Sequence, residues 1–191
     1  MSALHPKPTD PTDSLYERDF FLWTQEQAEA LRKMSAEGNN MPLDWENLAE
    51  EIESLGRSER RELASRIATL IQHLLKLEHS PASEPRAGWL VTVRRERREI
   101  ERLLKDSPSL RREVPVLVKE EWRGALEDVA DELRVEGEPN AEIAAALASG
   151  TNLYSVDQVL GRWFPGEESS TDSIPSPSGL RHSRLLRRDS A

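Results

Sequence analysis

Between Asp44 and His79 the chain reads DWENLAEEIESLGRSERRELASRIATLIQHLLKLEH, and apolar residues recur there at three- and four-residue spacing almost throughout. Trp45, Leu48, Ala49, Ile52 and Leu55 fall on one helical face, and Leu63, Ile67, Leu70, Ile71, Leu74 and Leu75 form a second, cleaner stripe. Such spacing suits a helix and is incompatible with the two-residue alternation of a half-buried strand. Gly56 stands where a C-terminal cap would, and Ser58 where the next helix would be capped, so the pattern predicts two helices joined at Leu55-Gly56.

The rest of the chain extends the pattern. Residues 1 to about 14 are polar and carry three prolines, which predicts a disordered lead. An aromatic cluster of Tyr16, Phe20, Phe21 and Trp23 follows, and Thr24-Gln25-Glu26-Gln27 has the form of a capping box for a helix carrying Ala28 and Leu31. A further helix is expected from about Arg86 to Lys105, with Trp89, Val93, Ile100, Leu103 and Leu104 inward. Ser107-Pro108 then offers a cap with proline at the first helical position. The next apolar face begins at Leu110, Val114, Leu117 and Val118 and drifts toward Trp122, Val129 and Leu133, predicting a bend or a change of neighbour near Gly124. Short helices are expected at Ala141 to Ala148 and Ser155 to Leu160, before Trp163-Phe164-Pro165.

The expected fold class is therefore all-α: an antiparallel bundle of about four long helices with short accessory helices and disordered termini. The expected organisation is a lead over 1–14, a helical domain over 15–165, and a Ser/Pro-rich and basic tail over 166–191.

Composition narrows the chemistry. There is no cysteine, which removes any disulfide framework, thiolate zinc site or thiol nucleophile. The formal net charge of -9 argues against the whole domain gripping a phosphate backbone. No stretch has the ~18 to 20 apolar residues that a membrane span needs, and the first residues have no apolar signal core, so the expected location is cytoplasmic. Gly-rich phosphate loops, the G-x-S-x-G elbow, H-E-x-x-H and the dinucleotide fingerprint are missing, so no cofactor is expected.

The ordered succession of Tyr16, Asp19, Trp23, Leu31-Arg32, Leu43-Asp44-Trp45-Glu46-Asn47-Leu48, Glu50-Glu51-Ile52, Ser65, His73-Leu74-Leu75-Lys76, Trp89, Thr92, Arg97, Ile100 and Ser107-Pro108-Ser109-Leu110 resembles the bacterial family called domain of unknown function twenty-nine. The resemblance spans roughly residues 15 to 165. It implies a helical fold and a bacterial origin and supplies no catalytic residue. Where the family tends to carry a Phe-Pro and then a Cys-Pro segment, this chain has Thr151-Asn152-Leu153-Tyr154-Ser155, so any role tied to that cysteine is absent.

Four polar residues stand out against the apolar faces. His73 lies at the edge of the Leu63/Ile67/Leu74 stripe, level with Arg66. The simpler reading is a boundary histidine hydrogen-bonded to a carboxylate of a neighbouring helix. The functional one is a metal ligand or general base, for which imidazole titrates in the right range. Glu96 falls on the line Trp89, Val93, Ile100, Leu103, where a carboxylate needs a cation, and Arg66 and Arg97 are the candidates. Glu121 follows Leu117 by four residues, and Glu51 flanks its stripe. Drawn from four helices, Glu51, His73, Glu96 and Glu121 make a candidate metal or acid/base centre of the kind built inside bundles. The diagnostic Glu-x-x-His is missing, and an ordinary ion-pair network accounts for the same residues.

Two charged stretches complete the reading. RRERREIER, from Arg94 to Arg102, interleaves Glu96, Glu99 and Glu101 and so reads as a salt-bridged face rather than a nucleic-acid patch. In the tail, Arg181, His182, Arg184, Arg187 and Arg188 surround Leu180, Leu185 and Leu186. That segment reads as a solvated terminus, or as a docking peptide for an acidic partner or an anionic surface. The leading expectation is a non-enzymatic module that binds a protein partner or self-associates. The alternatives are an enzyme centred on His73 with Glu51 and Glu96, and a nucleic-acid factor acting through the tail.

Overall fold

Gly56 does not end a helix. In the computed structural model, which describes residues 14–38, 41–137, 140–150 and 154–166, the chain from Trp45 to His79 is one helix of 35 residues. At 1.5 Å per residue it is about 52 Å long. Asp44 caps it as expected, its carboxylate accepting from the Asn47 amide at 3.2 Å, and Ser80 ends it. The glycine is buried because the helix Phe20–Ala36 crosses there: a Cβ on Gly56 would overlap Thr24 Oγ1 and come to 3.5 Å from Phe21 Cδ2. The local rule for helix ends gave way to a close helix approach.

The elements in order are α1 (Leu15–Arg18), α2 (Phe20–Ala36), α3 (Trp45–His79), α4 (Arg86–Asp106), a 3-10 helix (Pro108–Arg112), α5 (Val114–Val135), α6 (Ala141–Ser149) and α7 (Val156–Leu160). The fold is all-helical, with no strand among the described residues. The expected cap at Thr24 is another correction. Thr24 is buried inside α2, its hydroxyl donating to the Phe21 carbonyl at 2.7 Å, while Asp19 caps the helix by accepting from the Leu22 amide at 3.0 Å. Asp19 also accepts from the amide and hydroxyl of Ser109, both at 2.8 Å, which pins the start of α2 to the 3-10 helix. Ser107 precedes that helix as expected, but its hydroxyl accepts from the Phe21 amide instead of capping its own helix.

The long α3 organises the rest. Phe21 and Thr24 of α2 meet Gly56, and Arg32 pairs with Glu46, Glu50 and Glu53, so α2 runs antiparallel along the first third of α3. Beyond it, Ser107 reaches Glu59 and Glu96 reaches Arg66, so α4 runs antiparallel along the later part. Arg60 to Glu113 and Glu120, Gln72 to Asp128 and Lys76 to Glu132 ascend together, so α5 runs parallel to α3. The four long helices are present, with α2 and α4 occupying successive lengths of the same partner.

The core lies between α3, α4 and α5. Leu63, Ile67, Leu70, Ile71, Leu74 and Leu75 are all fully buried, as the stripe predicts, against Val93, Ile100 and Leu104 of α4 and Leu117, Val118, Leu126, Val129 and Leu133 of α5. Helix α5 passes through exposed Gly124 without a break, so the drift of its face is a change of neighbour. Its later residues meet α6 and α7, with Trp122 edge-on to Tyr154 at 5.4 Å. No described helix is long and apolar enough to cross a membrane. The expected disordered lead and the basic tail lie outside the described residues, except for Ser14 and Gly166.

Candidate functional site

The continuity of α3 decides the fate of the proposed polar centre. Glu51 and His73 come from one helix, not two, and stand about 33 Å apart along it. Glu51 is exposed, and Glu121 is only half-buried on α5. The four residues expected to converge do not. Among the described residues no group of three or more His, Asp or Glu side chains is placed to hold a metal ion.

His73 and Glu96 do share a neighbourhood. Glu96 is 5 % exposed, and its carboxylate accepts from Arg66 at 3.1 Å and from Arg95 at 2.9 Å. Arg66 is the cation expected, but Arg97 is not. Arg97 instead donates to the carbonyls of Val159 at 3.0 Å and of Gln158 and Trp163 at 2.9 and 2.8 Å, and lies 4.9 Å under the Phe164 ring. It ties α7 to α4. His73 meets no carboxylate in a hydrogen bond among the described residues. Its Nδ1 donates to the Thr69 carbonyl at 2.8 Å, one turn back on its own helix. Burial pushes its pKa below the ordinary value, with the Thr69 carbonyl opposing, so the ring is held toward its neutral form.

A second polar cluster joins residues that no local pattern connects. The Tyr154 hydroxyl donates to Glu78 Oε2, and burial together with Glu78 pushes its pKa far above the usual phenol range. It is a permanent donor, unsuited to act as a base. His79 sits beside it, with Nδ1 3.7 Å from Glu142 of α6 and Nε2 3.9 Å from Glu78, too long for hydrogen bonds. These contacts hold Tyr154 against the end of α3. In the sequence Tyr154 is marked only by the resemblance, as one of the residues that keep the family pattern where the cysteine segment is lost.

The surface departs from expectation at the other end of α3. Of the stripe Trp45, Leu48, Ala49, Ile52, Leu55, only Ala49 is fully buried, while Leu48 and Leu55 are 40 % and 48 % exposed. At 100° per residue Leu48, Leu55, Glu62 and Arg66 share one face of the helix. Arg66 meets α4 through Glu96, so this is the face that α4 covers further along. Because α4 ends at Asp106, near Glu59, no described helix covers the same face over Leu48 and Leu55. Trp45, Leu48, Ile52 and Leu55 repeat at three, four and three residues, the spacing of a seam between two helices. Its rim is acidic. Exposed Glu51 lies between the two leucines, and Glu59 and Asp106 gather at the far end with Glu62, which also pairs with Arg66 at 2.7 Å. Burial first, and then the negative charges of Glu62 and Asp106, push the pKa of Glu59 above the usual carboxylate range.

Fold and site together define an all-helical protein built on one long central helix. The chain belongs to the family described as domain of unknown function DUF29, whose sequence profile matches residues 15–164. It is also similar to a solved structure, an alpha-helical protein of unknown function from Rhodospirillum rubrum ATCC 11170. The two are 28 % identical, the match covers 78 % of this chain and 90 % of that one, and the TM-score is 0.64. No curated protein matches the chain.

Proposed function

We propose that the protein is a non-enzymatic interaction module whose open α3 face receives a basic amphipathic helix from a protein partner. The observation that carries this reading is the seam Trp45, Leu48, Ile52, Leu55, left uncovered where α4 stops, beside the Glu51, Glu59, Glu62 and Asp106 carboxylates. Apolar residues at helix spacing supply the contact area of a helix-in-groove interaction, and the acidic rim selects cationic flanks. Exposed leucines scattered singly need no explanation, but here they share one face in register with a packed helix interface.

The chain carries a segment of matching chemistry, from Leu180 to Arg188, outside the described residues. A labelled peptide of residues 178–191, titrated into the full-length protein and followed by fluorescence anisotropy, tests the proposal. Saturable binding that weakens with salt and is lost in the Leu48→Glu/Leu55→Glu variant is the expected result. Absence of saturable binding, or binding unchanged in the variant, overturns it. A concentration-dependent dimer in sedimentation velocity, abolished by the same variant, would assign the seam to a second copy and overturn the choice of a basic partner helix.

A further inference from the structure

A groove of about 360 Å³ opens between α4, the 3-10 helix and α7, away from the seam on α3. Its lining includes Arg98, Arg111 and Arg162 against one carboxylate, Glu101, over a floor that includes buried Ile100 and Leu104. In a chain with a formal net charge of -9 this is a local reversal of sign. The three guanidinium groups are exposed and make no ion pair or hydrogen bond with any described residue. That sets them apart from Arg32, Arg57, Arg60, Arg66, Arg102 and Arg123, each of which is held by a carboxylate.

The wall of the groove is fixed independently of any ligand. Arg97 also lines it, and its Nε and Nη2 donate to the carbonyls of Gln158, Val159 and Trp163, with the Phe164 ring above. That arrangement holds Gly161 and Arg162 beside α4, so Arg162 lines the same groove as Arg98 and Arg111. Three guanidinium groups lining one groove with a single carboxylate leave it an excess of positive charge, which a bound anion would neutralise.

We infer that this groove binds a small oxyanion of the phosphate class, a phosphate ester or pyrophosphate, with Arg98, Arg111 and Arg162 as its ligands. Guanidinium forks match the tetrahedral oxygens of phosphate in paired, charge-assisted hydrogen bonds. The volume suits a small molecule, and the acidic surface elsewhere disfavours a long polyanion such as a nucleic acid. The apolar floor leaves room for a small apolar portion of the ligand beside the charged group.

The test is isothermal titration of inorganic pyrophosphate into the full-length protein at low ionic strength. The variants are Arg98→Ala/Arg162→Ala and, as a charge-matched control, Arg61→Ala/Arg134→Ala, whose side chains lie outside the groove. One-to-one binding weakened about tenfold or more in the first variant and retained in the control is expected, since each charge-assisted contact carries roughly that factor. Unchanged thermal melting of both variants establishes that the fold is intact. Absence of saturable binding, or equal weakening in both variants, overturns the assignment. Tighter binding of citrate than of pyrophosphate overturns the choice of phosphate.

Discussion

Gly56 and Thr24 touch across the α2/α3 crossing so closely that no side chain fits between them: a Cβ on the glycine would overlap the threonine hydroxyl oxygen. The oxygen cannot swing away freely, because it donates to the Phe21 carbonyl within a fully buried environment. The absence of a side chain at position 56 is what lets α2 lie along α3.

Gly56→Ala therefore destabilises the protein by about 1–3 kcal/mol, the usual cost of overpacking, although alanine is intrinsically the better helix former by about 1 kcal/mol. Thr24→Ala in the Gly56→Ala background restores part of the loss, giving a favourable coupling in a double-mutant cycle read by urea unfolding. A neutral Gly56→Ala would show that the helices separate at no cost.

Leu74 is fully buried at the centre of the α3 stripe. Leu74→Ala is expected to cost about 2–5 kcal/mol as a cavity-forming change. A loss below about 1 kcal/mol in denaturant melts would contradict the packing of α3 against α4 and α5.

The Glu96 pair is asymmetric. Arg66→Ala leaves Glu96 buried with Arg95 as its remaining cation and is expected to destabilise by about 1–3 kcal/mol. Replacing both, as Arg66→Met/Glu96→Leu, removes the charge that needs solvating and is expected to cost less than Arg66→Ala alone. A double variant worse than the sum of the singles would count against a mainly compensating role for the pair.

His73 makes stability depend on pH with a definite sign. Its folded pKa is lowered by burial, so below its ordinary value of about 6.5 the unfolded chain binds the proton more readily than the folded one. The stability present above pH 6.5 is then lost progressively as pH falls through the folded pKa. Urea unfolding between about pH 5.5 and 8 should show this slope, and His73→Gln should flatten it. Glu59 acts in the opposite sense, since its folded pKa is raised and its strain is relieved as pH falls through that value. An unaltered slope in His73→Gln would assign the pH dependence elsewhere.

What the sequence made legible follows the range of each interaction. The Leu63-to-Leu75 stripe, the Asp44 cap and the burial of Glu96 beside Arg66 all rest on helical periodicity or on the cost of an unpaired buried charge. Gly56 was misread because a helix-ending glycine and a helix-crossing glycine look alike until the partner helix is known. Thr24-x-x-Gln27 has the form of a cap, but the cap formed at Asp19, which gained two further bonds from Ser109. The bond from Tyr154 to Glu78 and the anchoring of α7 by Arg97 join residues more than sixty positions apart, beyond the reach of any spacing rule. Gly56 bears most on the candidate site, because two helices joined there could bring Glu51 and His73 side by side, whereas one continuous α3 holds them apart.

A single helix with different partners along its length does not open as one unit. The first third of α3 packs against α2, whereas the residues from Leu63 to Leu77 sit inside the α3/α4/α5 core. Amide protons between Ala49 and Leu55 are therefore expected to exchange with solvent through local release of α2, ahead of global unfolding, while those between Ile67 and Leu75 wait for the whole molecule. The backbone hydrogen-bond ladder is continuous from end to end, yet it divides into a labile and a durable stretch, with the boundary just beyond Gly56.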